Sequence, residues 1–210
     1  MKPIEEMIDG LIRQSCENMV TLKKLKETDY SNDIKGFEDL TDRLNMLSEK
    51  YSCSVRDFSQ LTYSATNYEI MDKAAEGMGI EVYKDEEKVI IDIPHLLPRK
   101  KGKNHDFLCE PLCAKLEEMS KNVDLKIRGK AVVCITHIYK NNRPKVRCYD
   151  YDNLESKKIL DIVASYTLTD DAPQYCDIYQ CAKISTSDKT QITVMPAAVF
   201  TDNILSVVFG

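Results

Sequence analysis

The chain has 210 residues, room for one full-sized domain plus a smaller appendage, and its 43% apolar and 30% charged content is that of a globular protein rather than a disordered or fibrous one. No apolar run approaches the roughly 18 residues that span a bilayer, and the start Met1-Lys2-Pro3-Ile4-Glu5-Glu6 lacks the apolar core of a secretory signal, so a cytoplasmic protein without membrane contact is expected. The net charge of −5 excludes a uniformly basic nucleic-acid coat but conceals segregation: residues 1–97 hold 12 basic and 20 acidic residues, residues 98–147 hold 13 and 5, and residues 148–210 hold 4 and 9.

In chain order, Ile4, Met7, Ile8, Leu11 and Ile12, continuing through Met19, Leu22 and Leu25, recur at three- and four-residue steps and predict a first helix. A second helix starts at Ser31 or Asn32, with Ile34, Phe37, Leu40, Leu44 and Leu47 on one side. A third starts near Ser52 or Ser54, carries Val55, Phe58, Leu61, Ala65, Tyr68 and Met71, and stops at Gly77 and Gly79. Three to four clean heptads are not present, so a small helical bundle is expected over residues 1–78 rather than a coiled coil.

Residues 79–210 read differently. Ile80–Lys84 and Lys88–Ile93 form a predicted hairpin ended by Pro94 and Pro98, followed by the basic loop Arg99-Lys100-Lys101-Gly102-Lys103. Then come a helix near 106–121, a strong strand from Lys130 to Tyr139, and a turn at Asn141-Asn142-Arg143-Pro144. An extended piece ends at Asp150, a helix spans about 153–165, and strands near 174–184 and 190–195 read as a hairpin. The tail from Ala197 is apolar but of ambiguous type. The order predicts an α+β domain, a mixed sheet with packed helices, behind an N-terminal helical region.

Eight cysteines are scattered through the chain, several in apolar runs such as Ala131–Ile135, where cysteine behaves as a small hydrophobe. None forms a twinned CxxC, so a reduced thiol set is expected rather than zinc. No GxxxxGK[ST], GxGxxG or GxSxG occurs, which leaves nucleotide, dinucleotide and serine-hydrolase chemistry without a foothold. His95 and His105 read as surface residues, and His137 as half-exposed or satisfied within a sheet.

The segment that carries chemistry is Asp150-Tyr151-Asp152-Asn153-Leu154, followed after a helix by Thr169-Asp170-Asp171-Ala172. Two carboxylates two residues apart in extended chain face the same side, and a third after the helix could return beside them. Such a cluster repels itself unless it holds a cation. Mg²⁺ suits it, and the ion could orient water for in-line attack on a phosphodiester. The same residues also read structurally: Asp152 and Glu155 as a capping box, Asp170-Asp171 as turn chemistry.

Taken in order, Val89–Pro98, Arg99–Lys103, the 106–121 helix, Lys130–Tyr139, Arg143-Pro144-Lys145-Val146-Arg147, Asp150–Leu154, Lys157 with Asp161, Asp170-Asp171-Ala172 and the 174–195 pair resemble RusA-type Holliday junction resolvases over about half the chain. The resemblance implies that Asp150, Asp152 and Asp171 are catalytic carboxylates binding Mg²⁺, with Mn²⁺ as a substitute. It further implies that Asp170 supports them and that Lys157 contacts the scissile phosphate. Arg99, Lys100, Lys101, Lys103, Arg143, Lys145 and Arg147 would hold DNA. A departure stands at Ser156, where the family has its catalytic lysine; one residue on a helix turns a side chain by about 100°. The expected function is a metal-dependent, structure-selective endodeoxyribonuclease acting as a homodimer on branched DNA in recombination and repair. The alternative is a catalytically inactive relative that binds DNA or protein, and a third reading is an interaction protein whose partner docks on the N-terminal helices.

Overall fold

Ile4–Glu27 form one helix, α1, with Glu5 and Glu6 in its first turn and Lys24 and Lys26 in its last, the charge order that complements a helix dipole. The computed structural model describes residues 4–62, 67–98, 106–141 and 150–201. The chain divides into two compact units, residues 1–70 and residues 71–210, so the division falls inside the third helix rather than after residue 78.

In the first unit the turn after α1 is built by short acids. Asp29 accepts from the Ser31 amide at 2.9 Å, and Asp33 accepts from the Gly36 amide at 2.8 Å, capping the next helix. That helix, α2, runs unbroken from Ile34 to Thr62, which corrects the expected helix start at Ser52 or Ser54. No glycine or proline follows Gly36 in the helix, and serine inside a helix costs only a few tenths of a kcal/mol. Continued apolar spacing through Leu47, Val55 and Phe58 outweighs that cost. Gln14 Nε2 donates to Ser54 Oγ at 3.1 Å, tying α1 to α2. Of the third helix, Ala65 lies outside the described residues.

The third helix, α3 (Asn67–Met78), contributes Met71 and Ala75 to the core of the second unit. It ends on Gly79 at φ +73°, with the Gly79 amide on Glu76 O and the Ile80 amide on Ala75 O. A side chain at Gly79 would be strained and would approach Pro94 to 3.3 Å, so the stop signal rests on glycine. The remaining elements are β1 (Glu81–Asp85), β2 (Lys88–Ile93), α4 (Asp106–Asn122), β3 (Ala131–Lys140), a 3₁₀ turn at Tyr151–Asn153, α5 (Ser156–Thr167), β4 (Cys176–Ser185) and β5 (Lys189–Pro196). The protein is α+β, with a mixed five-stranded sheet and a helical N-terminal region.

The strand order is β1-β2-β5-β3-β4, antiparallel except for the β3/β4 pair. β3 therefore lies between β4 and β5, and the expected hairpin of the last two strands does not form. The reason is visible in β3 itself: Ala131 to His137 are all buried, so both faces and both edges of that strand are covered. Ala131, Val133 and Ile135 share a face with Val89, Ile91, Ile93, Ile192 and Val194, roofed by Leu108, Leu112 and Leu116 of α4 and by Ile159 and Val163 of α5. The opposite face is closed at one end, where Phe200 of a short helical turn at 197–201 packs on Val132 and Met195. Fully burying each large apolar side chain stabilises the fold by about 1.5–3 kcal/mol.

Candidate functional site

The acidic segment begins at Asp150, where the described chain resumes after Asn141. Asp150 to Leu154 turn through a single 3₁₀ turn closed by the Asn153 amide on Asp150 O at 2.9 Å. Leu154 is fully buried, whereas Asp150, Tyr151, Asp152 and Asn153 are exposed. The Glu155 amide donates to Pro98 O at 2.8 Å, anchoring the turn against the chain that leaves β2. Glu155, not Asp152, occupies the cap position of α5, and no side chain caps that helix end. The capping-box reading of Asp152 and Glu155 is thus not what forms.

Beneath the turn lies His137, for which the sequence predicts a half-exposed position or one satisfied within the sheet. It is fully buried, stacks on Tyr151 with ring centroids 5.5 Å apart, and meets Gln180 Oε1 through Nε2 at 3.4 Å. Its Nδ1 has no hydrogen-bond partner. Burial lowers the pKa of the ring, against the opposing effect of the Gln180 hydrogen bond, so the imidazole is neutral. His95, read as a surface residue, is half-buried; desolvation lowers its pKa too, and its Nε2 is buried without a partner.

Asp171 belongs to the other end of the sheet. α5 has 12 residues and so carries the chain about 18 Å away from Asp152. Leu168 then bridges to Ile127, and the Ile127 amide donates to Thr167 O at 2.8 Å. Burial, followed by the charges of Asp177 and Asp171, pushes the Cys176 thiol pKa up, which places Asp171 beside the start of β4. Cys176 pairs with Ala131. His137, under Tyr151, is six residues further along β3, about 20 Å at strand rise. Asp170 accepts from the Ala172 amide at 2.8 Å, as a turn residue does.

The structure therefore keeps Asp150 and Asp152 together and holds Asp170 and Asp171 apart from them. Among the described residues, no group of three or more His, Cys, Asp or Glu side chains could hold a metal ion. The four carboxylates do not fit a magnesium centre in this arrangement. Lys157 is exposed in the first turn of α5, on the Asp152 side. Arg99, Lys100, Lys101, Lys103, Arg143, Lys145 and Arg147 all lie outside the described residues, as do His105 and Tyr149.

A second candidate surface lies on the first unit. Met7, Leu11, Gln14, Asn18, Thr21 and Leu25 form the partly or fully buried side of α1, while Ile4, Ile8, Ile12, Met19 and Leu22 are exposed. At 3.6 residues per turn the exposed five fall within about 80° of one another, beside the covered face. Among the described residues of this unit, the buried side chains are Thr21 and Arg56, neither of them apolar. A groove of about 240 Å³ between α1 and α2 is lined by Arg13, Glu17, Lys24 and Arg43 together with Cys16, Val20, Thr21 and Leu40. It mixes both charge signs. No helix among the described residues is long and apolar enough to cross a membrane.

No curated protein matches the chain. Solved structures that it resembles include the periplasmic domain of Helicobacter pylori MotB (residues 90–256), at 11% identity and a TM-score of 0.36 over 63% of this chain and 88% of that one. Another is a MotB periplasmic domain (residues 64–256), at 12% identity and a TM-score of 0.34 over 61% of this chain and 74% of that one. Likenesses this slight lend this chain no activity. These structures are MotB periplasmic domains and not Holliday junction resolvases, so the expected resolvase, recombination and repair labels find no counterpart among them. The separation of Asp171 from Asp150 and Asp152 removes the chemical ground for those labels. Residues 2–206 match the family described as a family of unknown function, DUF6100, and the chain belongs to that family.

Proposed function

We propose that this protein is a self-assembly module whose α1 docks on α1 of a second copy, so that two helical hairpins make a four-helix bundle. The observation that carries the reading is the exposed apolar stripe of Ile4, Ile8, Ile12, Met19 and Leu22, with Ile12 56% and Met19 67% exposed. A surface helix normally turns one apolar stripe inward and a polar face outward. α1 has a second stripe with nothing over it among the described residues. Helices at this length gain most of their stability from such packing rather than from intrinsic propensity.

Charge chooses the occupant and the orientation. Glu5, Glu6 and Asp9 stand at the start of α1, and Lys23, Lys24 and Lys26 at its end. Two copies laid antiparallel set each acidic start against a basic end, whereas a parallel pair sets like against like. The geometry of such a pair is that of antiparallel bundles with apolar seams.

Light scattering on the full chain tests this. The expected result is a dimer mass that falls to the monomer in an Ile12→Asp/Met19→Asp variant with unchanged sheet signal in circular dichroism. A monomeric parent protein at micromolar concentration, or a variant that stays dimeric, would overturn the proposal.

A further inference from the structure

Outside both surfaces, β3 and β4 bring two cysteines together. Thr136 pairs with Cys181 and Cys134 with Tyr179 in the parallel register, so Cys134, Thr136 and Cys181 share one face of the sheet. Thr136 Oγ1 is 3.3 Å from Cys181 Sγ and 4.0 Å from Cys134 Sγ. Cys134 is buried, Cys181 is only partly so, and Lys183 follows on the same face. We propose that Cys181, the more accessible sulfur of this Cys134–Thr136–Cys181 cluster, is a modification site that reacts with hydroperoxides.

Two donors and a nearby ammonium favour the charged form of the more accessible sulfur. The hydrogen bond from Cys134 lowers the Cys181 pKa to about 6 against the opposing effect of burial, with Thr136 and Lys183 adding to the lowering. Cys134, the donor, is pushed up by that same hydrogen bond and by its own burial. One thiol of the pair is thus the nucleophile and the other stays protonated.

In the reaction the sulfur attacks one peroxide oxygen, an S–O bond forms and the O–O bond breaks. The departing hydroxide takes a proton from solvent and leaves as water; the sulfur is oxidised to sulfenic acid and the peroxide is reduced.

The test follows alkylation of each cysteine in the reduced full chain with iodoacetamide, read by peptide mass spectrometry from about pH 5 to about pH 9. The Cys181 rate is expected to rise with a midpoint near 6, well below the ordinary thiol value of about 8.5. Thr136→Val and Cys134→Ala each move the Cys181 midpoint upward, and Cys134→Ser, which keeps an O–H donor, holds it low. Hydrogen peroxide then adds one oxygen to Cys181 before Cys16. A Cys181 midpoint at the ordinary thiol value of about 8.5 in the unaltered protein, or oxidation of exposed Cys16 before Cys181, would overturn the proposal without reference to any variant.

Discussion

Tyr151 lies against His137 with ring planes 27° from parallel, so the acidic turn is fastened to the centre of the sheet by an aromatic contact and not by its carboxylates. His137 is neutral there because burial lowers its pKa, and this has a consequence for stability. The unfolded ring titrates at 6.5 and takes up a proton that the folded ring refuses. Stability is whole above 6.5 and declines as pH falls from there towards the folded pKa. Urea unfolding at pH 7.5 and at pH 5.5, values chosen about one unit either side, is expected to show a weaker fold at the lower pH. His137→Phe removes part of that decline and the lowered His95 accounts for more of it. An unchanged slope in the variant would remove His137 from the explanation.

Leu154 and Asp152 are two residues apart and are expected to behave oppositely. Leu154 is fully buried among core residues, so Leu154→Ala leaves a cavity and costs about 2–5 kcal/mol. Asp152 is exposed, and Asp152→Asn changes stability by less than about 0.5 kcal/mol. Chemical denaturation of the two variants beside the parent protein measures both.

Magnesium or manganese at millimolar concentration is expected to leave the melting temperature unchanged. A ligand that binds only the folded state raises it, and Asp171 stands a helix length away from Asp150 and Asp152. A clear rise that disappears in Asp152→Asn would mean that the acids do gather around a cation.

Much of the architecture was legible in the residues. The spacing of Leu108, Leu112 and Leu116 places a helix where α4 runs, and the unbroken apolar run of Ala131 to Ile135 marks a strand. The length of α2 was not legible, because Ser52 and Ser54 suit a helix start as well as a helix interior, and only continued packing decides between them. The pairing of the last strands was not legible either. Two strands joined by a short turn look like a hairpin until a third strand is known to lie between them. The acids misled for a related reason: chain order says that Asp171 follows a helix, but not that the helix ends at the opposite end of the strands. The Cys134–Thr136–Cys181 grouping left no mark in the sequence, since it exists only through the β3/β4 register.

The placement of β5 between β2 and β3 bears on how this domain comes into being. During synthesis the β1–β2 hairpin and β3 emerge long before residues 189–196, and no ladder joins them until that last strand slots in. A nascent chain paused before residue 189 thus carries two sheet fragments with raw, apolar borders, the state in which mispairing with neighbouring chains is most favoured. Loss of those eight residues would leave a protein cleft through its middle rather than one trimmed at its margin.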